Sequence, residues 1–253
     1  MRNINPMLCS DFYKATHDQQ TPEGITKSMS YFTPRMSRIK QWDSVVNFGL
    51  QGFIKTYLID YFNAEFFNQP ISMVLESYKR ILDNTLGEDC YNIEKIAKLH
   101  HLDYLPIEII ALPEGELVPM TVPMFGITNT HDDFAWLPQA LESLISAEMW
   151  HPMISATVGH TYRKIVNDFC EKYCDEDIKP STMLGDFSFR GQECLQSAVK
   201  SSAGWGLSFI NSATIPAIPY LEQNYNCDCT KETVLRGAIS TEHSVMCSNF
   251  AID

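Results

Sequence analysis

The chain has 253 residues, 45% of them hydrophobic and 20% charged, which is enough apolar material for one large core or two smaller ones and too much for disorder. Acidic residues outnumber basic ones by 31 to 19, a formal net charge of -12, and no basic block interrupts them. That balance argues against nucleic acid or an anionic membrane as the main partner and favours a small-molecule ligand. The opening MRNINPMLCSDFYK lacks the apolar centre of a signal peptide and no run of 18 apolar residues occurs, so the expected location is the cytoplasm. Eight cysteines, at 9, 90, 170, 174, 194, 227, 229 and 247, follow no framework spacing and read as reduced thiols.

In chain order, residues 4–31 form a polar opening with Pro6, Pro22 and Gly24, and SMSYFTPR then alternates as a short strand that stops at Pro34. FGLQGFIKTYLIDYFN (48–63) has apolar residues at helical spacing. Val74, Leu75, Tyr78, Ile81 and Leu82 predict a second helix, and a weaker one covers about 92–99, with Gly87 breaking the two. The β-branched run 105–130, punctuated by Pro113, Gly115, Pro119 and Pro123, reads as two or three strands of a meander. A helical pattern fills 134–174, interrupted near Pro152, with Tyr162, Ile165, Val166, Phe169 and Tyr173 on one apolar face.

Beyond a linker at 175–182 the pattern changes to strand MLGDFSF, helix GQECLQSAVKSSAGWG, strand LSFINSATI, helix AIPYLEQNY, a cysteine-bearing loop and strand VLRGAISTEHSVM. Alternating strands and helices imply parallel βα units. The expected fold class is therefore α/β: an α+β domain over 1–180, then the first three units of an incomplete α/β barrel over 181–253. Barrel sites form at the C-terminal ends of strands, which singles out Arg190 with Gly191, Ser212 to Thr214, and Glu242 with His243. Taken singly each has a plainer role: a surface ion pair for Arg190, core packing for Phe187 and Phe189, a hydrogen-bonded histidine for His243. Three clusters at three consecutive strand ends weigh against the plainer role of Arg190, while periodicity leaves that of His243 open. Neither Cys170 with Cys174 nor Cys227 with Cys229 has the CxxC spacing of a zinc site, so no metal is assigned to the thiols, and His100, His101 and His131 read as loop histidines. No phosphate-loop GxxxxGK[ST] and no GxGxxG occurs.

SDFYKATH (10–17), SYFTPR (30–35), FGLQ (48–51), LPIEIIALPEGELVP (105–119), DFSFRG (186–191) and STEHS (240–244) together resemble the nicotinamide phosphoribosyltransferase family, over nearly the whole chain. The resemblance is to the amino-terminal half only, and it implies joining of a pyridine base to 5-phosphoribosyl 1-pyrophosphate, giving the mononucleotide and pyrophosphate in NAD biosynthesis. It further implies Mg²⁺, ATP for phosphorylation of a histidine, and a homodimer with a shared active site. Residue by residue, Phe187 resembles the aromatic that stacks on one face of the pyridine ring, Tyr13 the partner-subunit aromatic on the other face, and Asp11 the acid beside it. Arg190 resembles the arginine near base and phosphates, Arg35 a phosphate-binding arginine from the other subunit, and His243 the phosphohistidine with Glu242 next to it. Counted without gaps from Arg190, the position of the family's carboxamide-reading aspartate is Ala213, which leaves nicotinamide against nicotinate open. With later barrel strands absent from the sequence, the chain alone is expected to be inactive as a transferase. The alternatives are a non-catalytic binding or regulatory fragment, one subunit of a split enzyme and, third, a thiol-metal protein.

Overall fold

A computed structural model describes residues 4–252. The fold is mixed α/β and divides into two compact units, Met1–Thr157 and Val158–Asp253.

The first unit opens with a 3₁₀ turn, Pro6–Leu8, and helix α1, Phe12–Gln20, where the sequence predicts only a polar opening. The turn is pinned by buried Asn5, whose Oδ1 accepts from Met7 N at 3.0 Å while Nδ2 donates to Val74 O at 3.1 Å. Strands β1 (Met29–Phe32), β2 (Ser44–Val46), β3 (Ile107–Ala111), β4 (Leu117–Pro119) and β5 (Phe125–Asn129) follow the expected β-branched runs, except β2, which the sequence does not signal. They do not form one meander. β5 lies between β1 and β3, antiparallel to both, and β2 pairs antiparallel with β4 in a separate two-stranded sheet. Gly126 sits mid-strand because Met29 and Tyr31 close over it, and a Cβ there would come within 2.8 Å of Met29 Cε.

Between β2 and β3 run helix α2 (Leu50–Phe53), a π-helical continuation over Ile54–Tyr61 and Asn63–Phe67, and helices α3 (Ile71–Asp83) and α4 (Ile93–Leu102). In this stretch the backbone bonds to the fifth residue, as in Asn68 N to Asn63 O at 2.9 Å, and Phe62 and Phe66 are fully buried. Glu114, from the turn between β3 and β4, caps the start of α2, its Oε2 accepting from Gly49 N at 2.7 Å and its Oε1 from Gln51 N at 2.6 Å.

Helix α5 (Leu137–Ala140) leads into α6 (Glu142–Tyr173), which runs through Pro152 without the predicted interruption. The proline ring packs against Gly49, whose φ of +107° and close approach exclude any side chain: a Cβ would lie 2.7 Å from Pro152 Cγ. One turn on, Thr157 Oγ1 donates to Met153 O at 2.7 Å and accepts from Val46 N at 3.0 Å, tying this stretch of helix to β2. The two compact units meet inside α6, at 157/158. The physical reason is that the turns after Thr157 pack with the later residues: Arg163 Nη1 donates to Ser208 O at 2.5 Å, and Tyr162 lies 6.3 Å from the Trp205 ring.

The second unit holds β6 (Gly185–Asp186), α7 (Leu195–Gly206), β7 (Asn211–Ser212), α8 (Ala217–Tyr225) and α9 (His243–Phe250). β6 and β7 pair in parallel, as the βα pattern predicts, around a small core of Ala198, Phe209, Ala217 and Leu221. The third predicted strand, VLRGAISTEHSVM, is not one. Arg236 makes a single parallel bridge to Asn211, and residues 243–250 are helical because the Glu242 carboxylate accepts from Ser244 N at 2.7 Å and Val245 N at 3.2 Å.

Candidate functional site

In the second unit the ends of the parallel strands carry most of the expected residues. β6 ends at Asp186, so Phe187 leaves the strand at once, and Phe189–Gly191 is a 3₁₀ turn rather than strand. Phe187 is 77% exposed, which excludes the core-packing role open to it in sequence. Ala213, exposed just past β7, is joined to β6 by its N–H, which donates to Asp186 O at 2.9 Å. Ser212 N donates to Arg236 O at 3.0 Å, bringing the third segment alongside.

Arg190 is exposed in the middle of the 3₁₀ turn, and its charge reaches Glu242. The Glu242 carboxylate is held below its ordinary range chiefly by the Ser244 hydroxyl, then by backbone N–H groups at the start of α9, with a smaller electrostatic contribution from Arg190. His243 is the first residue of α9, not a strand-end residue; its ring is exposed and its Nε2 lies 3.3 Å from Cys247 Sγ, one helical turn on. Phe187, Arg190, Ala213 and Glu242 thus share one end of the parallel strands, with His243 adjoining. A fixed cation, Arg190, and a flat exposed ring, Phe187, there suit an aromatic ligand that also bears an anion.

Two polar groups in this region are not signalled by motif. Asp186 is buried, and its Oδ1 accepts from Ser188 N at 2.9 Å whereas Oδ2 has no partner among the described residues. Thr214 Oγ1 is likewise buried and unpartnered there. Only burial at the strand ends distinguishes them, and burial is not readable from a polar residue's identity.

In the first unit, Asp11 and Tyr13 stand at the start of α1, both exposed. Asp11 Oδ2 accepts from the Ser143 hydroxyl. The Tyr13 ring lies 5.2 Å from His17 and is 55% exposed, with Lys14 Nζ 5.3 Å from its centroid. Arg35 is exposed after β1, at the rim of an open depression of about 630 Å³ that Tyr31, Phe32 and Glu142 also line. Among the described residues no group of three or more His, Cys, Asp or Glu could hold a metal ion.

Residues 5–109 match the family described as nicotinamide phosphoribosyltransferase, N-terminal domain. The chain belongs to the nicotinamide phosphoribosyltransferase family. It is 41% identical over 250 residues to a nicotinamide phosphoribosyltransferase of Acinetobacter baylyi, covering 96% of this chain and 49% of the relative. A second such relative, from Xanthomonas campestris pv. campestris, is 30% identical over 224 residues, covering 88% of this chain and 45% of its own length. The chain spans about half the length of the curated relatives it matches. In fold it is similar to the crystal structure of human nicotinic acid phosphoribosyltransferase, with a TM-score of 0.64 at 18% identity over 94% of this chain and 40% of that one.

Proposed function

We propose that this chain contributes the base-binding part of a pyridine-base phosphoribosyltransferase, which joins nicotinamide or nicotinate to 5-phosphoribosyl 1-pyrophosphate with release of pyrophosphate. The observation that carries the reading is the grouping of exposed Phe187 with Arg190, Ala213 and Glu242 at one end of the parallel strands. Phe187 stacks on the pyridine ring, and the Arg190 guanidinium holds a phosphate oxygen pair. Tyr13 and Asp11, with Arg35, act from a second copy in a homodimer, Tyr13 covering the other face of the ring and Arg35 meeting phosphate. Transfer through a cation-like ribosyl centre depends on positioning and on neutralising the leaving pyrophosphate, so fixed rings and guanidinium groups serve it better than a strong base.

His243 takes the role of phosphate acceptor from ATP, its exposed ring open to the nucleotide and its neighbour Glu242 committed to capping α9. Magnesium is implied by the family, and the described residues offer it no cluster of three or more His, Cys, Asp or Glu. The test is calorimetric titration of the chain with nicotinamide and with nicotinate, alongside an assay for mononucleotide with phosphoribosyl pyrophosphate and magnesium. Binding of either base that Phe187→Ala weakens supports the reading. No binding of either base and no mononucleotide overturns it. Binding without turnover favours the non-catalytic or split-subunit alternative.

A further inference from the structure

In the second unit, the turn that presents Phe187 and Arg190 has little packing to hold it. Phe187 is 77% exposed, the edge of its ring lying over Gly185, and Phe189, Arg190 and Gly191 are exposed too. Side chains so placed sample many orientations, and the order that a ligand must impose on them is subtracted from its affinity. Hydrogen bonds converge instead on Ser188, which lies between the two phenylalanines in sequence. Its N–H donates to Asp186 Oδ1 at 2.9 Å and its C=O accepts from Gly191 N at 2.8 Å, which closes the turn back onto β6. Its hydroxyl oxygen accepts from Gln192 Nε2 at 2.9 Å, and the same nitrogen donates to Ser201 Oγ at 3.2 Å. Ser201 is buried on α7. Gln192 N also donates to Phe189 O, at 3.4 Å. A primary amide has two N–H donors, so this one side chain serves the turn and the helix at once. Gln192 follows DFSFRG directly, and only its contacts single it out.

We propose that Gln192 is a positioning residue of the strand-end site: by tying Ser188 to α7 it keeps the turn that carries Phe187 and Arg190 ordered before a ligand arrives, so that little order remains to be imposed on binding. It acts through Ser188 and the backbone of Phe189. Its effect on a pyridine base rests on the transferase reading, whereas its hold on the turn does not.

The experiment reads two quantities on the full chain: backbone amide order parameters of residues 187–190, and calorimetric affinity for whichever of nicotinamide and nicotinate binds more tightly. Gln192→Ala should lower the order parameters from about 0.85, the value of rigid backbone, toward about 0.6. Ser188→Ala should do the same, and the double variant should go no further, because both remove one link. Ser188→Thr, which keeps the hydroxyl, should restore the order. Affinity should fall roughly three- to ten-fold in each alanine variant, the scale of one hydrogen bond, and recover in Ser188→Thr. Should Gln192→Ala not fold, Ser188→Ala decides in its place. A role in stability alone would lower the denaturant midpoint and leave the affinity of the folded chain where it was; that result overturns the proposal, as does a turn that stays ordered in Gln192→Ala. If the unaltered chain binds neither base, the transferase reading falls, and the order parameters by themselves decide the role of Gln192.

Discussion

Phe187 projects from the end of β6 as a free flat face, and Phe187→Ala should weaken binding of a pyridine base by about 1–3 kcal/mol, the scale of an aromatic stack, as calorimetry would report. Ala213 belongs to the same strand end, and on the proposed reading it presents a methyl group where a carboxylate would accept from a carboxamide and repel a carboxylate. A charge-assisted hydrogen bond contributes roughly 1.5–3 kcal/mol, so Ala213→Asp should move the nicotinamide-to-nicotinate affinity ratio toward nicotinamide about ten-fold or more. Titration of both bases into both chains tests this, and an unmoved ratio would mean that another residue reads the amide. Lys200 on α7 is pushed down to about 8 by burial. Because the unfolded chain holds the extra proton between there and the ordinary lysine value near 10.4, this residue makes stability rise with pH across that window. Its acylation, followed by mass spectrometry against pH, should reach half its limiting rate near pH 8. At this scale the strand-end placement of Phe187, Arg190 and Ala213 is legible from the alternation of strands and helices. Asp186 and Thr214 are not, since what sets them apart is a buried atom lacking a partner, and that is a property of the surroundings.

The segments FGLQ and LPEGELVP, distant in sequence, turn out to be one device: Glu114 from the second satisfies the N–H groups of Gly49 and Gln51 in the first. Glu114→Ala should lower stability by about 1–3 kcal/mol, read from the denaturant midpoint. Gly49→Ala combines a left-handed φ with a clash against Pro152, and roughly 2–4 kcal/mol of destabilisation is expected in the same experiment. α9 depends on the ionised Glu242 cap. Its lowered pKa means that the stabilisation is complete above the ordinary carboxylate range and is lost as pH falls through the depressed value, so the Ser244 and Val245 amide resonances should shift together in that acid window. Helices with a clear 3.6 period, such as α3 and α4, were readable in advance, as was α8. The misreadings have local causes. α1 has too weak an apolar face to stand out, β2 is three residues long, and the β-branched look of 234–246 yields to a capping carboxylate at Glu242.

For the molecule as a whole, the α/β class was legible from the change to alternating strands and helices. Where the compact units meet is set by packing that periodicity does not carry: Arg163 and Tyr162 join the last turns of α6 to the second unit. Those same turns leave Tyr162, Ile165, Phe169 and Tyr173 at least half exposed on one side of the helix. Such a stripe attracts its own kind, whereas a net charge of -12 keeps neighbouring molecules apart. Added salt shortens the reach of that repulsion from about 30 Å at 0.01 M to about 3 Å at 1 M and leaves apolar attraction intact. Colloidally, then, the protein should behave opposite to one held together by ion pairs: dispersed in dilute buffer and increasingly self-associated as ionic strength rises, with Phe169→Ser abolishing the trend in light scattering.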